Sequence, residues 1–128
     1  MSASPVELIR MLYEGALEGV ERARGCLREG DIAGRARAVA KVADIVGELA
    51  QSLRQPEHGS AEIETNLRRL YDYILARLLE GNAMQTDAPF AEAERVLATL
   101  LEAWRQLAEP ESAPAGRSAA AGQLTVQG

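Results

Sequence analysis

The chain has 128 residues, of which 47% are hydrophobic, 26% charged and 4% aromatic, a composition that favours helices packed through Leu, Ala and Val over a β-sandwich. A net charge of −5 argues against a nucleic-acid binder, which needs clustered Lys and Arg. No run reaches the roughly 18 apolar residues of a membrane span. The N-terminus lacks the basic region followed by an apolar region that marks a signal peptide. We therefore expect one domain, no membrane insertion and a cytoplasmic location, which the single Cys26, a residue predicted to be buried, also fits.

The first helix has a well-marked start. Ser4 is the expected N-cap, Pro5 occupies the first helical position, and Glu7 completes a capping box. The helix is predicted to end before Gly30. Its apolar positions recur at three- and four-residue steps: Ile9, Leu12, Ala16, Val20, Ala23 and Leu27.

The second helix is predicted to begin after the N-cap Asp31 and to stop at the Pro- and Gly-containing segment 55–59. Helical spacing predicts one apolar face for it. The residues of this face are Ile32, Ala36, Val39, Ala43, Val46, Ala50 and Leu53.

The third helix is predicted from near Ser60 to Gly81-Asn82 and is apolar around much of its circumference, so we expect it to be the most buried. The fourth follows Thr86, with Pro89 in its first turn. Its predicted seam, with Trp104 as a core anchor, is Phe90, Ala93, Leu97, Leu100, Trp104 and Leu107.

Four amphipathic helices joined by short turns predict an all-α protein, an antiparallel up-down four-helix bundle. The bundle domain is expected to span residues 1–108. Residues 109–128 are rich in Ala, Gly and Pro, and this composition predicts a disordered tail.

The sequence supplies no recognisable catalytic chemistry. Its one histidine, His58, lies in a predicted turn, so neither a bundle metal site nor a histidine-activated nucleophile has its residues. We predict no catalytic residue, no metal and no cofactor. Charged pairs such as Glu7 with Arg10 and Glu21 with Arg24 are expected to be weak ion pairs on solvated helix faces.

Apolar residues remain after each helix has supplied one core face. Leu8, Met11 and Gly15 form a second stripe on the first helix, and a helix-interior glycine suggests close approach of a neighbour. Further extra residues are Val42, Ile45, Leu49, Tyr73, Leu75 and Leu79. These stripes fit a groove for a partner helix, a broad peripheral core or a homodimer seam, and the residues alone leave the three open.

Four segments together resemble a known family. Residues 3–16, ASPVELIRMLYEGA, are similar to the ASPxxLIxMLYDGA opening of the FliS family of flagellin export chaperones. Residues 45–53 resemble the end of its second helix, residues 66–73 with Arg77, Leu78 and Asn82 resemble its NLxxLYDY helix, and residues 100–104 resemble its closing segment. The resemblance covers about residues 3–108 and is specific in combination.

The resemblance implies a cytoplasmic chaperone that binds the disordered C-terminal segment of flagellin, lets it fold along the bundle, prevents premature polymerisation and assists delivery to the flagellar export apparatus. Contacts with that apparatus and with a co-chaperone are further implied partners. The alternative is a homo-oligomeric helical adaptor that has no flagellin client and associates with its own copies through the same apolar stripes. The predicted client-contacting and groove-forming residues are Leu8, Met11, Leu12, Tyr13, Ile45, Leu49, Leu70, Tyr71 and Ile74.

Overall fold

The computed structural model describes residues 4–53 and 61–108, which form four helices: α1 (Pro5–Glu29), α2 (Ile32–Ser52), α3 (Ala61–Met84) and α4 (Asp87–Ala108). Helix α1 packs against α2 and α4, and α3 packs against the same two helices, so α1 and α3 are diagonal in the bundle. The predicted helical-bundle fold is confirmed. The predicted turn with His58 and the predicted disordered tail lie outside the described residues.

The ends of α1 and the start of α2 follow their sequence signals. The Glu7 backbone N–H donates to the Ser4 Oγ at 3.2 Å, and the Ser4 N–H donates to the Glu7 carboxylate at 3.4 Å, which completes the predicted capping box. Gly30 ends α1 at φ 73°, a left-handed conformation that favours glycine. Asp31 then caps α2 by accepting the Gly34 N–H at 2.9 Å.

The core of α2 differs from the predicted face. Val39, Val46 and Leu53 are buried as predicted, but Val42 and Leu49 are buried as well, although the sequence placed them on an outer stripe. Ile32, predicted to be inside, is exposed. The shift arises because α1 approaches α2 closely at Gly19, where a Cβ atom would overlap the Cγ2 atom of Val42. That approach turns the Val42 stripe inward.

Helix α3 is not the most buried helix, so that prediction is wrong. Seven residues of α2 are buried and only four of α3, whose Leu70, Tyr73 and Leu79 are exposed. The four are Tyr71, Ile74, Leu78 and Gly81. The helix also runs past its predicted end. Gly81 lies inside it, where a Cβ atom would come within 2.9 Å of the Phe90 ring.

Helix α4 buries Phe90, Ala93 and Leu97 as predicted, but the buried seam continues through Leu101, and Leu107 is exposed. The predicted core anchor Trp104 is half-buried at the end of the bundle, and its indole Nε1 donates to the Val6 carbonyl at 3.3 Å. Trp104 therefore connects α4 to the first turn of α1 instead of filling the centre.

Ion pairs connect neighbouring helices as well as neighbouring residues of one helix. The Arg24 guanidinium binds both Asp87 oxygens, at 2.7 and 2.8 Å, and also contacts Glu94, so α1 is joined to α4. The predicted pairings of Arg10 and Arg24 were wrong, since Arg10 pairs with Glu14 at 3.2 Å. The hydrogen bonds from Arg24 hold the pKa of the Asp87 carboxyl below its usual value.

Candidate protein-binding surface

Exposed apolar side chains gather on the N-terminal half of α1. Leu8 and Met11 are 50% and 52% exposed, and Leu12 beside them is half-buried. With Gly15 one turn further on, these residues share the face of α1 that borders α2, because positions three and four apart lie together on a helix. Ile45, half-buried on α2, completes the edge. We call this surface, formed by Leu8, Met11, Leu12, Gly15 and Ile45, the α1–α2 groove.

Glycines form the floor where the two helices are closest. A Cβ atom on Gly15 would lie 3.4 Å from the Cδ1 atom of Ile45, which is ordinary contact. At Gly19, one turn further along α1, a Cβ atom would overlap the Val42 side chain. The sequence argued for close approach at Gly15, and the structure shows that the tighter requirement is at Gly19.

The groove leads into a cavity of about 490 Å³ with a polar lining. Gly15 and Gly19 border it on the groove side. Three cations, Arg22 of α1 with Arg37 and Lys41 of α2, line it further along. We call these three residues the basic end. The other lining residues are Glu18, Cys26, Asp31, Gly34 and Ala38.

The candidate residues named from the sequence fall into three groups. Leu8, Met11, Leu12 and Ile45 lie together at the α1–α2 groove. Leu70 is 36% exposed but belongs to α3, which is diagonal to α1, so it lies on a separate surface.

The third group is buried and needs correction. Tyr13, Leu49, Tyr71 and Ile74 are core residues of the bundle, with no more than 3% of their surface exposed. Their predicted direct contact with a partner does not fit that burial. These four residues lie on the helix faces that pack into the core, next to the faces that border the groove. Burial also raises the pKa of the Tyr13 and Tyr71 hydroxyls.

The sequence interpretation missed the basic end. It treated the charged residues as solvated faces, yet Gly15, Gly19 and Arg22 follow helical steps along α1, as do Gly34, Arg37 and Lys41 along α2. Two glycine-containing polar stripes on consecutive helices were the available signal. Cys26, predicted to be a buried small residue, is half-buried at the edge of this cavity.

The described residues contain neither a candidate metal cluster nor a candidate membrane span. Within residues 4–53 and 61–108, no group of three His, Cys, Asp or Glu side chains comes together as a metal site requires. In the same ranges, no helix combines the length with the apolarity that a membrane crossing requires. The site is an exposed apolar groove on a helical bundle, a geometry of the class that binds amphipathic helices in other proteins.

The sequence comparisons identify the family. The profile described as flagellar protein FliS matches residues 1–111. Flagellar secretion chaperone FliS of Salmonella typhimurium is 38% identical over 112 residues, which cover 88% of this chain and 82% of that protein. Flagellar secretion chaperone FliSB of Pseudomonas aeruginosa is 32% identical over 102 residues, or 80% of this chain and 79% of that protein. The chain therefore belongs to the FliS family, and its role is that of a chaperone in flagellar export with a flagellar protein as its client.

Proposed function

We propose that this protein is a cytoplasmic chaperone that binds the C-terminal segment of flagellin along the α1–α2 groove, prevents its premature polymerisation and assists its delivery to the export apparatus. The observation that carries the proposal is the exposure of Leu8 and Met11 on the stripe of α1 that leads to Gly15, which lies against Ile45 of α2. The role is one of binding alone, without a catalytic residue, metal or cofactor.

An apolar groove on a charged surface is costly unless a partner covers it, because exposed apolar area is stabilised by burial at about 25 cal/mol per Å². An amphipathic helix meets this requirement with side chains at i, i+3, i+4 and i+7. A flagellin segment that is disordered until it binds would gain that helix on the groove and hide its own apolar face. Covering the face is what blocks polymerisation.

The residues named above have different parts in this proposal. Leu8, Met11, Leu12 and Ile45 contact the client. The buried residues beneath them set the spacing of α1 and α2 and act only through the shape of the groove. Leu70, on the separate surface of α3, is a candidate for a second contact with the same client or with a co-chaperone.

The test mixes the purified protein with a synthetic peptide of the flagellin C-terminal segment and records circular dichroism and titration calorimetry at several temperatures. Coupled folding predicts a 1:1 complex, a gain in total helix content and a negative heat-capacity change. No binding at micromolar concentrations would contradict the proposal.

The homo-oligomeric adaptor is separated from the chaperone by light scattering on the protein alone. A chaperone with a free groove scatters as a monomer at micromolar concentration. An adaptor that pairs its own stripes scatters as a dimer or larger, and Met11→Asp would return it to the monomer mass.

A further inference from the structure

We propose that the basic end of the α1–α2 groove binds the terminal α-carboxylate of the client, so that the last helical turn of flagellin is seated between Arg22, Arg37 and Lys41. This inference rests on the proposed function. It adds the direction of the client helix and the group that fixes its position.

The three cations are available for an anionic ligand. Most arginines of the described residues hold partners in the bundle, namely Arg10, Arg24, Arg35, Arg68, Arg77 and Arg105. Within residues 4–53 and 61–108, Arg22, Arg37 and Lys41 form no such ion pair or hydrogen bond. Three cations that are gathered on one cavity without an ion pair among the described residues are complementary to a carboxylate.

The two acids of the cavity leave this complementarity in place. Asp31 is already engaged, because its carboxylate accepts the Gly34 N–H at 2.9 Å as the N-cap of α2. Glu18 is the other acid of the lining and is exposed to solvent. Three cations against two acids give the cavity a positive balance in a chain whose net charge is −5.

The shape of the groove favours a chain end. From Leu8 to Gly19 the groove side of α1 extends about 16 Å, at 1.5 Å per residue, which is three helical turns of a client. Gly15 and Gly19 line the cavity at the far end of this path. Asp31, in the connection between α1 and α2, closes the cavity beyond them. A client helix that follows the apolar residues therefore ends at the basic end.

Electrostatics sets the direction. A client helix whose apolar stripe meets Leu8, Met11 and Ile45 and whose C-terminus reaches Arg37 runs in the same direction as α1. Both the negative end of its helix dipole and its terminal carboxylate then face the cations. The guanidinium groups of Arg22 and Arg37 are suited to a carboxylate because their planar donors match its two oxygens.

The experiment uses two peptides of the flagellin C-terminal segment with the same sequence. One ends in a free carboxylate and the other in a C-terminal amide. Calorimetry compares them on the wild-type protein and on Arg37→Glu and Lys41→Glu. Arg95→Glu is the matched control, since Arg95 is exposed on α4 and does not line the cavity. We expect amidation to weaken wild-type binding about fivefold, the scale of an exposed charge pair.

On Arg37→Glu and Lys41→Glu the free acid should lose a similar factor, and the difference between acid and amide should disappear. Arg95→Glu should retain both the affinity and the difference between the two peptides. Equal affinity of the two peptides for the wild-type protein would overturn the inference while still supporting a flagellin-binding groove. Equal weakening of both peptides by Arg37→Glu would also overturn it and assign the cations to an acidic side chain. Failure of both peptides to bind would overturn the proposed function itself.

Discussion

The hydroxyl of Tyr13 lies 2.7 Å from the hydroxyl of Tyr71, and this hydrogen bond joins α1 to the diagonal helix α3 through the core. Each tyrosine is only 3% exposed, so each hydroxyl depends on the other for a partner. The pair is the polar link beneath the apolar groove, and it fixes α1 relative to the far side of the bundle.

Replacing Tyr71 by Phe should lower the free energy of unfolding by about 1–3 kcal/mol, because the Tyr13 hydroxyl is then buried without a partner. The double variant Tyr13→Phe with Tyr71→Phe removes both hydroxyls and should recover part of this loss. Denaturant unfolding of the two single variants and the double variant measures the coupling. Strictly additive losses would show that the hydrogen bond contributes nothing of its own.

Alkaline pH should destabilise the fold through the same pair. Burial raises the pKa of both Tyr13 and Tyr71, so the folded state retains protons that the unfolded state releases above about pH 10, the ordinary tyrosine value. The stability contributed by these groups is therefore complete below that pH and is lost as pH rises further. Unfolding followed by tyrosinate absorbance and circular dichroism should show the decline. The double Phe variant should show a smaller decline over the same range, and an identical one would contradict this assignment.

Gly19→Ala should destabilise the bundle by about 1–3 kcal/mol, since the added methyl group overlaps Val42 and α1 must move away from α2. Gly47→Ala is the matched control in a helix interior, because nothing lies within 4 Å of its Cβ position. There, alanine should stabilise by about 0.5–1 kcal/mol through its higher helix propensity. Thermal unfolding distinguishes the opposite signs. A stabilised Gly19→Ala protein would contradict the close approach that shapes the groove.

Asp87→Asn removes the carboxylate that Arg24 binds across α1 and α4. Nearly half of the Asp87 side chain is exposed, so screening by solvent limits the expected loss at neutral pH to less than about 1 kcal/mol. The pKa of Asp87 is lowered by Arg24, which means that the stabilisation is present above the unfolded pKa of about 4 and is lost as pH falls through the folded value. Unfolding curves of the two proteins should therefore converge in acid. A constant difference between them down to low pH would assign the effect to something other than this ion pair.

The local features of the fold were readable from the sequence. The capping box of Ser4 and Glu7, the end of α1 at Gly30 and the cap at Asp31 depend on residues within one turn of each other, so short-range chemistry determines them. The cap residues and the apolar spacing also predicted the four helices in their correct order. The surplus of apolar positions on α1 also pointed to Leu8 and Met11 as residues beyond the core face, and both are exposed, but the residues alone left groove, peripheral core and homodimer seam open.

The rest required tertiary packing. Neighbouring stripes on a helix are separated by less than the width of a core face, so spacing alone does not decide which stripe is buried. Val42 is buried and Ala36 is exposed because α1 comes close to α2 at Gly19. The bond between Arg24 and Asp87 joins residues 63 positions apart, and no local spacing predicts it. The basic end was missed for the same reason, since its cations come from two helices.

The most direct test of the central claim is the affinity of Met11→Asp for the flagellin C-terminal peptide, measured by calorimetry beside Met84→Asp. Both methionines are exposed, Met11 at 52% in the α1–α2 groove and Met84 at 68% at the end of α3, so the chemical change is the same and only the location differs. Ile45 is half-buried, and its replacement would test packing and binding together. We predict that Met11→Asp weakens binding by about tenfold or more with unchanged helix content, while Met84→Asp binds as the wild type does. Wild-type affinity in Met11→Asp would contradict the assignment of the groove as the client site.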